Sequence, residues 1–131
     1  MKARERIGRF CDKKVMIIEE CRELREIISS ICSHWGASTI GARSSRELVF
    51  KALTEKPDLI IFHPGSERNS THYTCKLLKS LKETRHIPIL LSTGDCQTLK
   101  TKDLDLPGYD DYILKPFGTE ELVMKMERLF R

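Results

Sequence analysis

The segment Pro57-Asp-Leu-Ile-Ile-Phe-His63 decides the fold of this 131-residue chain. Its apolar run, Leu59–Phe62, is too short for a helix and has the composition of a strand that is covered on both faces. A residue capable of chemistry, His63, follows directly. Strands of this kind lie in the middle of parallel sheets with helices on both sides. We therefore expect Leu59–Phe62 to be the central strand of an α/β domain.

Three other apolar runs end in the same way, on residues with chemically capable side chains. They are Val15–Ile18 before Glu19 and Glu20, Ile89–Ser92 before Thr93, and Tyr112–Leu114 before Lys115. In an open parallel sheet the crevice for ligands lies beyond the carboxyl ends of the strands. We expect these residues to converge with His63 in one crevice.

Helical and strand patterns alternate along the whole chain. The predicted strands are Lys14–Ile18, Ser38–Gly41, Leu59–Phe62, Ile87–Ser92 and Tyr109–Leu114, and the predicted helices are Arg22–Trp35, one that begins at Ser44, Thr71–Glu83, Cys96–Leu104 and Thr119–Phe130. Strict alternation of five strands and five helices favours parallel strands with right-handed crossovers. The predicted fold is α/β, a flavodoxin-like doubly wound (βα)5 domain in which two helical layers enclose a five-stranded parallel sheet.

Size and composition indicate one ordinary globular domain. The chain is 40% hydrophobic and 32% charged, and no apolar run approaches the roughly 20 residues that span a bilayer. Residues 1–13 form a predicted flexible basic arm without the apolar core of a secretory signal, and residues 14–131 form the predicted domain. We expect a cytoplasmic protein without a DNA-binding module, since no such motif follows the arm.

Five cysteines lack the paired spacing of zinc sites and of disulfide frameworks. We expect reduced thiols. Cys21 and Cys32 fall in a helical stretch and Cys75 lies beside Leu77 and Leu78, so we expect small buried hydrophobic side chains at these positions.

From about Lys14 to Phe130 the chain resembles the receiver domain of bacterial two-component response regulators. The segments that carry the resemblance are Val15-Met-Ile-Ile-Glu-Glu-Cys21, Pro57-Asp-Leu-Ile-Ile-Phe-His63, Ile87-Pro-Ile-Leu-Leu-Ser-Thr-Gly94 and Asp110-Asp-Tyr-Ile-Leu-Lys-Pro-Phe117. The last segment is the most diagnostic, with its Lys115-Pro116 pair and an aromatic residue, Tyr112, three positions before the lysine. The resemblance implies a role in signal transduction and a cis peptide bond at Pro116.

The resemblance places His63 at the position of the family's phosphoacceptor aspartate. In the family that aspartate accepts a phosphoryl group from a partner histidine kinase, and it holds magnesium together with the acidic pair, here Glu19 and Glu20. Neutral imidazole is neither the carboxylate nucleophile nor the oxygen ligand that magnesium prefers. We therefore expect no phosphoaspartate at residue 63, impaired magnesium binding and no cofactor.

The resemblance also implies roles for the remaining crevice residues. Thr93 and Tyr112 correspond to the family's coupled switch, which has no phosphoryl charge to respond to here. Lys115 is expected to form an ion pair with Glu19 or Glu20.

For His63 itself we expect a structural role, with a hydrogen bond to Glu20 and, when protonated, a charge that holds the two acids together. Two alternatives remain open: that His63 accepts phosphate itself, or that it joins Glu19 and Glu20 as ligand to zinc or manganese. These three are weak metal candidates.

The expected function is that of an atypical, non-enzymatic receiver domain that acts as a phosphorylation-independent protein-interaction module. The expected partner surface comprises the helix Cys96–Leu104, the fifth strand near Tyr112 and the final helix from Thr119, and it could also support a homodimer. The alternative is a metal or small-molecule sensor whose ligand contacts are Glu19, Glu20, His63 and Lys115. Three further aspartates, Asp58, Asp110 and Asp111, are expected in turn or solvated roles, since each precedes or begins its strand.

Overall fold

The structure is a computed structural model that describes residues 8–63, 68–94 and 108–130. Its elements in chain order are β1 (Lys14–Ile18), α1 (Arg22–His34), β2 (Ser38–Ala42), α2 (Ser45–Glu55), β3 (Leu59–Phe62), α3 (Arg68–Ser80), β4 (Ile89–Thr93), β5 (Asp111–Leu114) and α4 (Thr119–Leu129). The predicted alternation is confirmed for these elements. The predicted helix Cys96–Leu104 lies outside the described residues.

All five strands are parallel and form one sheet in the order β2-β1-β3-β4-β5. The sheet therefore confirms the predicted α/β fold with Leu59–Phe62 as its central strand. The strand order reverses direction after β1, so the carboxyl ends of β1 and β3 lie side by side. A crevice is expected at such a switch point in an open parallel sheet.

Side chains alternate between the two faces of the sheet, and each face is covered by helices. On one face, residues such as Val15 and Ile17 pack with Ile28 of α1 and Met126 of α4. On the other face, the intervening residues pack with α2 and α3 in a second core, which contains Met16, Ile18, Leu48, Ile60, Phe62 and Leu78. This is the predicted three-layer arrangement.

The third helix is displaced from its predicted bounds of Thr71–Glu83. It runs over Arg68–Ser80, and Tyr73, predicted on its apolar side, is 70% exposed. The buried Thr84 hydroxyl donates a hydrogen bond to the Leu78 carbonyl oxygen at 2.6 Å, which satisfies an acceptor at the helix end. This contact ends the helix early, and the apolar period alone does not reveal it.

The remaining boundaries differ by one or two residues. The strands predicted at Ile87–Ser92 and Tyr109–Leu114 begin two residues later in the structure, at Ile89 and Asp111. The amide of Ile87 bonds to the Thr84 carbonyl oxygen within a turn, so it does not join the sheet ladder.

Residues 8–13, which the sequence assigns to a flexible arm, pack onto the domain. Phe10 is 3% exposed, its amide donates to the Trp35 carbonyl oxygen at 2.9 Å, and its ring lies 5.0 Å from that of Phe130. The adjacent Arg9 pairs with Glu127 at 3.2 Å. The aromatic cluster covers the ends of α1 and α4, which explains why the folded region begins before Lys14.

The cysteines divide by environment. Cys32 and Cys75 are buried, as predicted, and burial raises the pKa of each thiol to about 12. Cys21 is exposed, so the prediction of a buried side chain is wrong there. It is the N-cap residue of α1 and precedes the helix, so it does not lie on the apolar face of α1 that packs on the sheet.

None of the described helices is long and apolar enough to cross a membrane.

Candidate functional site

The side chains of the crevice lie on one face of the sheet. Each of them comes two positions after a strand residue whose side chain is buried in the core on that face. Successive strand residues alternate faces, so a residue two positions after a buried one points the same way. The pairs are Ile17 and Glu19, Ile61 and His63, Leu90 and Ser92, and Ile113 and Lys115, the first member of each lying in the core beneath α1 and α4.

Glu19 is a buried carboxylate with a partner for each oxygen. Its side chain is 3% exposed. Oε1 accepts a hydrogen bond from Lys115 Nζ at 2.7 Å, and Oε2 accepts one from the Cys21 amide at 3.2 Å. Arg25 Nη1 donates to the Glu19 carbonyl oxygen at 2.8 Å and so fixes the backbone here. A buried charge of this kind is stable only when it is paired and hydrogen-bonded.

His63 lies beside this ion pair, with its backbone amide bonded to the Ile18 carbonyl oxygen at 2.9 Å. Its ring Nδ1 is 3.0 Å from the Ser92 carbonyl oxygen and 3.1 Å from Lys115 Nζ. A carbonyl oxygen only accepts, and the Lys115 ammonium only donates and keeps further donors beside the one that it gives to Glu19. A protonated Nδ1 therefore donates to Ser92, and an unprotonated Nδ1 accepts from Lys115. Nε2 faces Glu19 Oε2 at 4.0 Å, beyond hydrogen-bond distance.

Glu20 does not take part in this arrangement. It is exposed and makes no hydrogen bond or ion pair with any residue in the described ranges. Lys115 therefore pairs with Glu19, one of the two partners expected from the sequence. The expected hydrogen bond between His63 and Glu20 is absent, since Glu20 lies beyond the end of β1 and its side chain is exposed.

The described residues contain no group of three or more histidine, cysteine, aspartate or glutamate side chains placed to hold a metal ion. The weak candidates Glu19, Glu20 and His63 are thus not gathered into a ligand set. Magnesium in particular prefers several oxygen ligands in octahedral geometry. The buried carboxylate here is occupied by an ammonium group, and an imidazole stands beside it, so these residues do not fit magnesium.

The two expected switch residues occupy different environments. Thr93 is 2% exposed, and its carbonyl oxygen accepts a hydrogen bond from the Lys115 amide at 2.9 Å. Tyr112 is 42% exposed, and Lys125 Nζ lies 5.1 Å from the centre of its ring. The peptide bond between Lys115 and Pro116 is cis.

Two contributors to the crevice were not singled out from the sequence. The Ser92 carbonyl oxygen orients the His63 ring, and Arg25 secures the backbone of Glu19. The Ser92 contact uses a backbone carbonyl, which every residue has, so the identity of residue 92 gives no signal for it. The contact of Arg25 depends on how α1 crosses the sheet and leaves no local sequence signal.

The three further aspartates named in the sequence analysis, Asp58, Asp110 and Asp111, lie outside the crevice and form hydrogen bonds or ion pairs with residues near them. Asp58 accepts a hydrogen bond from the amide of Lys14, the first residue of β1, at 2.8 Å. Asp110 accepts one from the amide of Ile89, the first residue of β4, at 2.7 Å. Asp111 pairs with Lys125 at 3.1 Å.

The chain is similar in sequence to response regulators of bacteria. It is 30% identical over 121 residues to the alkaline phosphatase synthesis transcriptional regulatory protein PhoP of Bacillus subtilis, which covers 92% of this chain and 49% of the relative. It is 29% identical over 119 residues to response regulator MprA of Mycolicibacterium vanbaalenii, covering 90% of this chain and 50% of the relative. The chain spans about half the length of these curated relatives. No family model matches it.

Solved structures give the same result for the fold. The chemotaxis response regulator CheY4 of Vibrio cholerae superposes with a TM-score of 0.79 at 22% identity, covering 89% of this chain and 98% of that one. The signal receiver domain of a histidine kinase from Syntrophus aciditrophicus superposes with a TM-score of 0.77 at 28% identity, covering 90% and 89%. The chain thus resembles receiver domains along nearly all of its length, in sequence and in fold.

Proposed function

We propose that this chain is an atypical receiver domain of the response-regulator type, which serves signal transduction as a phosphorylation-independent protein-interaction module. The observation that carries the proposal is the closed cluster at residue 63. The ammonium of Lys115 neutralises Glu19 at 2.7 Å while His63 fills the neighbouring position and bonds to Ser92. The cluster satisfies its own charges without a metal ion or a phosphoryl group.

The chemistry of the cluster supports this reading. Transfer of a phosphoryl group to a receiver needs an unhindered carboxylate nucleophile and a cation that neutralises the developing charge. The buried carboxylate in this cluster, Glu19, already accepts two hydrogen bonds. His63 Nδ1 is likewise within hydrogen-bond distance of Ser92 and Lys115, and His63 Nε2 faces Glu19 Oε2 at 4.0 Å.

The lack of an acceptor has a consequence for output. A two-state equilibrium shifts only when a ligand or modification interacts differently with the two states. Without a phosphoryl group, nothing at residue 63 would draw Thr93 toward the crevice. We infer that the surface near Tyr112 is presented in one conformation and that binding of a partner sets the output.

The proposed partner surface is the exposed face of β5 and α4. Leu114 and Met124 are 37% and 53% exposed, and the exposed Tyr112 ring lies beside Lys125, whose Nζ is 5.1 Å from the ring centre. Aromatic and methionine side chains are enriched at the centre of protein interfaces, and polar side chains form the rim around them. The predicted helix Cys96–Leu104 and self-association through this face belong to the same proposal.

The test compares wild type with His63→Asp and His63→Asn in beryllofluoride plus magnesium, by amide chemical shifts around Thr93 and Tyr112. Aspartate restores the nucleophile, and asparagine is its matched control because it has the same shape without the charge. We expect no response in wild type or His63→Asn. A wild-type response to beryllofluoride, or covalent modification by acetyl phosphate, would refute the proposal.

The same spectra test the alternative of a metal or small-molecule sensor. Zinc, manganese and nucleotides are added separately to the wild type, and the amides of Glu19 and His63 are followed. Because ligand binding in the crevice would have to break the Lys115 to Glu19 pair, we expect no saturable shifts. Saturable shifts that vanish in Glu19→Gln would support the sensor instead.

A further inference from the structure

We propose that a cleft at the amino-terminal edge of the sheet, opposite the crevice, binds a small phosphomonoester through its phosphate group. The cleft has a volume of about 240 Å³. Its lining combines the cationic or imidazole side chains of Lys13, Lys56 and His86 with the apolar side chains of Pro57, Ile87 and Phe130. We call it the amino-edge cleft.

The fold brings these residues together for the same reason that it assembles the crevice. In a parallel sheet all strand starts lie at one edge, and the residues just before β1, β3 and β4 meet there. Lys13 precedes β1, Lys56 lies between α2 and β3, and His86 precedes β4. Five residues of β1 at about 3.3 Å each separate this edge from Glu19, so the cleft is independent of the crevice.

The charges around the cleft favour an anion. Lys13 and Lys56 form no ion pair among the described residues, whereas other lysines such as Lys51 and Lys79 pair with carboxylates. The ammonium of Lys13 lies 5.5 Å from the centre of the Phe130 ring, which holds it at the cleft. Two ammonium groups and an imidazole donor suit the several oxygens of a phosphate.

Asp58 is the acidic member of the lining, and its carboxylate is already engaged. Its Oδ2 accepts the Lys14 amide at 2.8 Å. The lining contains two lysines and one carboxylate, so its net charge is positive. This excess of positive charge attracts an anion.

The size and the apolar members indicate a small organic group on the phosphate. Phe130 is partly buried and supplies accessible apolar surface beside the cations, whereas Pro57 and Ile87 are buried. The volume is below the roughly 300 Å³ typical of pockets for larger ligands. A phosphate that carries one ring or a short chain fits these limits better than an inorganic anion or a bulky ligand.

Phenyl phosphate is the probe, and all titrations are made at constant ionic strength. Phenol, which lacks the phosphate, and inorganic phosphate, which lacks the ring, are the two control compounds. Amide shifts of Lys56, Asp58 and Ile87 are followed by NMR. We expect saturable shifts with phenyl phosphate, none with phenol, and a several-fold weaker response to inorganic phosphate. The absence of saturable shifts with phenyl phosphate would overturn the proposal, and so would an equal or stronger response to phenol or to inorganic phosphate.

The variants are Lys13→Gln and Lys56→Asn, the latter because asparagine tolerates the left-handed backbone at φ 50°. Each should weaken binding at least about five-fold, and both together more. Lys51→Gln is the control, since Lys51 lies by the opposite edge and pairs with Glu47 at 2.8 Å. Unchanged spectra elsewhere verify folding. Binding that persists unweakened in the double variant would contradict the assignment.

Discussion

Lys115 Nζ lies 2.7 Å from Glu19 Oε1, although 96 residues separate the two in the chain. The carboxylate is buried and the lysine is partly buried, with side-chain exposures of 3% and 20%. Loss of one partner from such a pair leaves the other charge without compensation, which costs more than the loss of an exposed pair.

Replacement of Lys115 by methionine should lower the free energy of unfolding by about 2 kcal/mol, because Glu19 then keeps only its amide hydrogen bond. Urea denaturation measures the change. In the double variant with Glu19→Gln, the loss should be smaller than the sum of the single losses by about 1 kcal/mol. Lys125→Met, which breaks a more exposed pair with Asp111, is the control and should cost below about 1 kcal/mol. Additive losses would show that Lys115 and Glu19 are not coupled.

Ser92→Ala should leave the protein as stable as wild type or raise its free energy of unfolding by about 1 kcal/mol. The Ser92 hydroxyl is buried and has no hydrogen-bond partner among the described residues. Its removal relieves an unpaired polar group while the backbone carbonyl still accepts from His63. Thermal or urea denaturation is the measurement. A loss above about 1 kcal/mol would mean that the hydroxyl has a partner in solution.

Phe10→Ala should lower the free energy of unfolding by about 3 kcal/mol, although Phe10 lies in the segment that the sequence assigns to a flexible arm. The ring is 3% exposed and contacts Trp35 and Phe130. Truncation of a buried aromatic ring leaves a cavity of this cost. Phe50→Ala is the matched control, because Phe50 is 66% exposed and should cost below about 0.5 kcal/mol. Equal effects of the two substitutions would place Phe10 outside the core.

The free energy of unfolding should fall between pH 9 and pH 12 in a way that depends on Cys32 and Cys75. Burial raises the pKa of both thiols from 9.0 to about 12 in the folded state. In the unfolded state each thiol loses its proton near pH 9, so stability declines from there until the folded thiols also ionise. The slope is at most about 1.4 kcal/mol per pH unit for each thiol.

Urea denaturation at pH 8, 9.5 and 10.5 tests this expectation. The variant Cys32→Ala/Cys75→Ala should show a shallower decline than wild type, and the exposed pair Cys11→Ala/Cys21→Ala should leave the slope unchanged. If both double variants decline as steeply as wild type, burial does not control the ionisation of Cys32 and Cys75.

Local patterns determined much of the site in advance. Glu19, His63, Thr93 and Lys115 each end or follow an apolar run, which places them at the carboxyl end of a strand. Alternation with helices makes the strands parallel, so these ends share one edge of the sheet. The period of two did not distinguish which acid faces the crevice. In the structure Glu19 is the acid in the crevice, because it lies two residues after Ile17 on the face that packs against α1, and Glu20 is exposed.

The sequence by itself determined the fold class, the central position of Leu59–Phe62 and the position of Glu19, His63, Thr93 and Lys115 at the carboxyl edge of the sheet. These depend on hydrophobic runs, turn residues and strand direction, which are local properties of the chain. Only the tertiary structure decided that Lys115 pairs with Glu19, that Phe10 enters the core and that Lys13, Lys56 and His86 line one cleft. Each of these contacts joins residues far apart in sequence, and their energies depend on burial and distance, which arise only when the layers pack.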